Sequence, residues 1–233
     1  MFTRVSLCPI DCYYSGMGKG VKGRRVYDSP RRQEQARATR AAILEAARDL
    51  FGERGYVATT MQVIAERARV SPATVYTAFT NKRSLLSVLI DVSIAGDDAP
   101  VPILERPWVR ELRDEPDLQR RIAILATNGR LMLERRAPVD EVVRAAAASD
   151  PDIAALWQAG NAQRLAGQRQ LLRLVAGGAS FREGLSDRGA ADTLYALGSP
   201  ETYRLLTVDR GWSPARFERW YADTLAQLLF EGG

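Results

Sequence analysis

The chain predicts an all-α fold, and three observations carry that expectation. From Glu34 onward alanine, leucine, arginine and glutamate dominate, all of them strong helix formers. No run alternates apolar and polar residues with period two between turn signals, as half-buried strands require. Four times a capping residue directly precedes a proline, at Ser71-Pro72, Asp150-Pro151, Ser199-Pro200 and Ser213-Pro214. Each pair places an N-cap oxygen before a residue suited to the first helical turn. With 233 residues, 46% hydrophobic and 26% charged, the chain has enough apolar side chain to fold by burial alone.

Residues 1–33 mix glycine, tyrosine, serine and basic residues without periodicity, and they read as a flexible basic arm or as an over-extended gene start. This segment carries a net +5, residues 34–91 a net +2 and residues 92–233 a net −2. The positive field is therefore N-terminal, which points to an anionic polymer or surface as partner, with a solubilising tail as the alternative. Cys8 and Cys12 form a lone C-x3-C, too few for a zinc site and too local for a disulfide framework, and read as bystanders. No stretch approaches the length of a membrane span and no apolar core follows the start, so no membrane is expected as a partner and the location expected is cytoplasmic.

Helix one is expected over 37–54, with Ile43, Ala47, Leu50 and Phe51 as one apolar stripe. Thr60 caps helix two, where Met61, Ile64, Ala65 and Ala68 repeat at helical spacing. After Arg69-Val70, Ser71-Pro72 opens helix three, with Val75 and Phe79 inward and Thr74, Tyr76 and Thr77 outward. Asn81 caps a fourth helix running to about residue 94. Two short helices joined by so tight a turn, the second small and polar on its outer face, make a helix-turn-helix. Pro72, Ala73 and Thr74 let such a helix sit deep in a DNA major groove, where a hydroxyl or methyl meets a base edge. Tyr76 and Lys82 are placed to reach phosphates. Short helix pairs with tight turns also occur in helical proteins of other function.

The run from Gly55 to Leu86 resembles the DNA-binding domain of TetR-type transcriptional regulators. The features that carry the likeness are Gly55-Tyr56 after helix one, Thr60 opening helix two, Ile64-Ala65 within it and Val70-Ser71 at the turn. Thr74-x-Tyr76-x-x-Phe79 and Asn81-Lys82 before Leu85-Leu86 complete it. Three positions depart from the pattern: Arg69 where glycine is common, Thr77 where an aromatic or histidine is common, and Val63 where an acidic capping partner is expected. The resemblance implies that Thr60, Tyr76 and Lys82 contact phosphates and that Gln62, Pro72, Ala73, Thr74 and Thr77 lie near base edges. Lys82 is the only lysine after residue 22, which suits a compact charge on a phosphate, although a solvated first-turn lysine is the plainer reading.

Helices are expected next over 117–136, 139–149, 152–176, 187–197 extended by 201–208, and 215–230, with a break across 96–116. The resemblance divides the chain into the arm (1–33), a helix-turn-helix domain (34–83) and a helical effector-binding and dimerisation domain (84–233). It also implies that the last two long helices pair with those of a second subunit. Leu194, Trp220, Tyr221, Leu225 and Leu228 are the candidate dimer residues, because the final helix carries more apolar surface than one face needs. Packing within one chain is the alternative. Asn128, Met132, Trp157, Gln158 and Asn161 put an aromatic wall and amides on apolar helices and are the candidate effector site.

With no histidine there is no Ser-His-Asp or Cys-His system and no HExxH zinc helix, and no paired carboxylates stand out on an apolar face. No catalytic residue, metal or cofactor is expected. The function expected is a ligand-responsive, dimeric regulator that represses from a palindromic operator in double-stranded DNA and is released by an unidentified small molecule. The alternative is a small helical enzyme or adaptor in which the helix-turn-helix is only a fold element.

Overall fold

The computed structural model describes residues 30–231, and Cys8, Cys12 and residues 1–29 of the expected arm lie outside them. The described residues form ten α-helices: α1 (Pro30–Ala58), α2 (Met61–Arg67), α3 (Pro72–Ala78), α4 (Lys82–Ala95), α5 (Pro107–Asp114), α6 (Leu118–Ala147), α7 (Pro151–Ala176), α8 (Asp187–Leu197), α9 (Pro200–Arg204) and α10 (Pro214–Leu229). Among them no strand forms beyond a single bridge between Phe181 and Phe230.

All four cap-and-proline pairs start helices as their chemistry requires. Ser71, Asp150, Ser199 and Ser213 accept from the backbone N–H of Thr74, of Asp152 and Ile153, of Thr202 and of Arg216 respectively, each satisfying donors that have no intrahelical partner. Elsewhere the boundaries differ. α1 begins inside the expected arm, at Pro30, and breaks at Gly55, whose φ of 79° only glycine adopts without strain. The proline-rich break across 96–116 contains α5, which Pro107 initiates and the fully buried Val109 and Leu112 anchor.

The two helices expected at 117–136 and 139–149 are one helix, α6, with Pro138 inside it. An interior proline removes a backbone bond and costs roughly 3 kcal/mol, so something must hold the helix together across it. Ala137 and Val139 on either side are buried, and Arg136 bridges the proline to Asp140 at 2.8 Å in a buried pair. Packing outweighs local propensity here.

Two apolar cores result. The first joins α1 to α4 through Leu50, Phe51, Ile64, Val75, Phe79, Leu85 and Leu86, and it extends to Val139, Val143 and Ala146 of α6 and Ile153 of α7. The second gathers the upper part of α6, from Ile122 to Ala137, with α5, α8, α10 and the end of α7. Pro138 marks the change of core, so α6 is a single strut shared by both.

The second core takes up three of the five candidate dimer residues. Leu194, Tyr221 and Leu225 are buried inside it and offer no face to another molecule, because the surplus apolar surface of α10 is covered by α6 and α8. Burial pushes the Tyr221 phenol up, far from ionisation at neutral pH. Trp220 is half-buried against the same core, and of the five only Leu228 is exposed. Exposed apolar residues also occur at Leu205 and Val208, in the π-helical turn (Leu205–Asp209) that ends α9.

Candidate nucleic-acid interface

The helix-turn-helix is built from α2, the turn at 68–70, and α3. Thr60 caps α2 by accepting from Val63 N–H at 3.2 Å, and nothing returns the bond from position 63, as the missing acidic partner implies. Before it, the buried Thr59 hydroxyl donates to Gly55 O at 2.8 Å, closing the end of α1. The turn is tight because Arg69 adopts a left-handed φ of 55°. A side chain in that region costs about 1–2 kcal/mol. Arg69→Gly is accordingly expected to raise the unfolding free energy by about 0.5–1 kcal/mol, less than the full strain because glycine also loosens the unfolded chain. A urea titration that finds Arg69→Gly less stable than the parent would refute the strain.

α3 is pinned by Val75 and by Phe79 at its C-cap, both fully buried. Arg40 of α1 lies over the Phe79 ring at 4.4 Å, donates to Ala78 O and pairs with Asp98, tying the end of α3 to the segment after α4. With its inner side held, α3 presents Pro72, Ala73, Tyr76 and Thr77 to solvent, with Thr74 half-buried beside them. Thr60 and Gln62 are exposed at the start of α2, and Arg31, Arg32 and Arg37 are exposed on the first turns of α1.

Residues 43–89 match the family profile for bacterial regulatory proteins of the tetR family. An uncharacterized HTH-type transcriptional regulator of Bacillus subtilis strain 168, YdeS, is 45% identical over 76 residues, 32% of this chain and 37% of that protein. The N-terminal domain belongs to the TetR family. The likeness to curated relatives spans well under half of their own length. Among solved structures, NalD, the secondary repressor of a multidrug efflux pump in Pseudomonas aeruginosa, superposes with a TM-score of 0.63 at 20% identity, over 86% of this chain and all of that one. A SmeT–triclosan complex gives 0.62 at 24% identity, over 84% and 93%. Beyond the TetR-type domain the shared feature is thus the all-α fold.

Within that domain the structure gives Lys82 neighbours that the sequence does not announce. Its ammonium donates to Tyr56 O and Thr59 O, each at 2.8 Å, and lies 4.2 Å from the centre of the Tyr56 ring. These carbonyls lie at and just beyond the end of α1, and although Tyr56 O also accepts Thr59 N–H at 3.3 Å, a cation there adds to the cap and meets the helix dipole. Burial lowers the Lys82 pKa, against the opposing charge of Asp150. Lys82→Met is expected to cost about 1.5–3 kcal/mol of stability, the range for hydrogen bonds to a charged group. An unchanged thermal midpoint would show that the carbonyls find water equally well. Sequence pattern also misses the two-pronged pair of Arg67 with Glu53, at 3.1 and 2.8 Å, which joins α2 to α1.

The candidate effector residues lie on α6 and α7 and face different surroundings. The Asn128 amide donates to Ile124 O of its own helix, Trp157 packs against the N-terminal core and Gln158 is exposed, while Met132 and Asn161 are half-buried. The Trp157 indole N–H and the Gln168 carbonyl oxygen are buried without a hydrogen-bond partner.

Proposed function

We propose that this protein is a dimeric, ligand-responsive transcriptional regulator that represses by holding a palindromic operator and lets go when a small molecule binds. The observation that carries the reading is the solvent-facing α3, anchored from behind by Val75 and Phe79 within the segment that matches the tetR family. NalD, named as a repressor, and SmeT, solved with triclosan, share the fold and lend support to repression and effector binding. Residues 34–83 would read DNA and 84–233 would bind effector and a second copy. α6 is suited to couple them, since one helix serves both cores. The effector site is proposed along α6 and α7, where Asn128, Met132 and Asn161 are half-buried. The basic residues 1–33, with Arg31, Arg32 and Arg37 at the start of α1, would add salt-dependent affinity for phosphate.

A gel shift with the DNA flanking the protein's own gene tests the reading: a discrete complex that survives non-specific competitor is expected. Retarded bands that competitor abolishes at every salt concentration would overturn it. The same assay assigns Lys82. A phosphate contact predicts that Lys82→Met flattens the salt slope by about one unit, whereas a pure helix-capping role predicts weaker binding at unchanged slope.

A further inference from the structure

The hydrogen-bond partners around α3 narrow what it can recognise. α3 reads Pro72-Ala73-Thr74-Val75-Tyr76-Thr77-Ala78 and contains no arginine, lysine, asparagine, glutamine or carboxylate, the side chains that bond base edges with two prongs. Both threonine hydroxyls of α3 already make a bond at home. Thr77 donates its single proton to Ala73 O at 2.8 Å, and the Thr74 and Ser71 oxygens share a proton at 2.8 Å while Ser71 also accepts from Thr74 N–H. Nearby cations are engaged as well, Arg67 on Glu53 and Lys82 on the end of α1. The long polar side chains exposed beside it are Gln62, Arg69 and Tyr76, of which only Tyr76 belongs to α3. Ala73, Thr74 and Thr77 each carry a methyl group, and Ala73 and Thr77 are exposed.

We infer that α3 recognises thymine C5-methyl groups, so that each operator half-site carries A·T pairs where Ala73 and Thr77 meet the groove. The inference rests on the DNA-binding reading above. Thymine is the one base with an apolar group on its major-groove edge. An A·T and a G·C pair each present two acceptors and one donor there, so the thymine methyl is the feature that an apolar surface can tell apart. Discrimination therefore comes from the methyl contact itself, which G·C does not offer.

The test uses the full chain. Bound duplexes are enriched from a random pool, and the winner is resynthesised with uracil, which lacks only the methyl, at one thymine per half-site at a time. At one or two positions a loss of about fourfold per methyl is expected, the equivalent of burying one methylene; the loss is about sixteenfold when both half-sites are changed. Thr77→Val keeps the methyl and should keep the uracil penalty, whereas Thr77→Ser should bind thymine and uracil alike at one position. Thr77 is exposed, so both variants can be checked for an unaltered melt. Equal affinity for uracil at every position, or enriched sites in which no thymine is required, would overturn the inference while leaving the regulator intact. A pool that yields no enriched sequence at all would overturn the DNA-binding reading itself.

Discussion

Leu225→Glu is expected to unfold the C-terminal domain rather than to split a dimer. Leu225 is 1% exposed, in the core with Phe217, Tyr221 and Leu229. Losing a buried leucine costs roughly 2–5 kcal/mol by itself, and an uncompensated carboxylate in the same space adds several more unless it takes up a proton. A loss of about 5 kcal/mol equals much of the stability of an ordinary domain and lowers the melting midpoint of a chain this size by about 10–20 °C. Val208, 68% exposed on the π-helical turn, supplies the contrasting variant. Val208→Glu should melt like the parent, and if the second copy packs on this face it should sediment as a monomer with weakened DNA binding. A Leu225→Glu protein that remains folded and monomeric would show that the core at α10 is looser than its packing implies.

The two residues illustrate what sequence pattern can and cannot convey. Periodicity identifies the apolar side of α10 but cannot say what covers it, because an intramolecular partner and a second subunit leave the same stripe. The surplus suggests an interface, yet α6 and α8 already cover most of it. Cap chemistry behaves differently. Ser71, Asp150, Ser199 and Ser213 bond to residues two or three positions on, so their role is complete within a few residues and legible without tertiary knowledge. The helix-turn-helix is readable for the same reason, since its turn, caps and inward Val75 and Phe79 all lie within one short run. Pro138 and Lys82 escape such a reading because what decides their roles is compensating or distant. The bridge from Arg136 to Asp140 and burial on both sides keep α6 whole, and the carbonyls that hold Lys82 lie 23 and 26 positions earlier.

Arg121→Met is expected to be nearly as damaging as a cut into the core, by about 3–5 kcal/mol, through backbone groups rather than an ion pair. The side chain is buried, and its guanidinium donates to four carbonyls: Val175 O at 2.6 Å, Ala176 O at 3.1 Å, Glu115 O at 3.0 Å and Pro116 O at 2.8 Å. Two of these end α7 and two belong to the link between α5 and α6, all of them acceptors that the helices themselves leave unpaired. No carboxylate shares in these bonds, so the negative end of the α7 dipole is what offsets the charge. Methionine fills similar space but takes its donors away from these acceptors, the costly side of a broken hydrogen bond where they are buried, while Ala176 O keeps Ala179 N–H at 2.8 Å. Lysine reaches with one compact ammonium instead of a planar fork and should recover less than half of the loss. Gly177 gives an internal control. It follows α7 with φ 54°, and a Cβ there would stand 2.8 Å from the Arg121 guanidinium carbon. Gly177→Ala in the parent therefore meets both backbone strain and this contact, whereas in the Arg121→Met background only the strain remains. Urea unfolding of the four proteins in the cycle should show the double variant less destabilised than the sum of the singles. Strict additivity would mean that Arg121 moves aside freely and that its four bonds do not fix the junction.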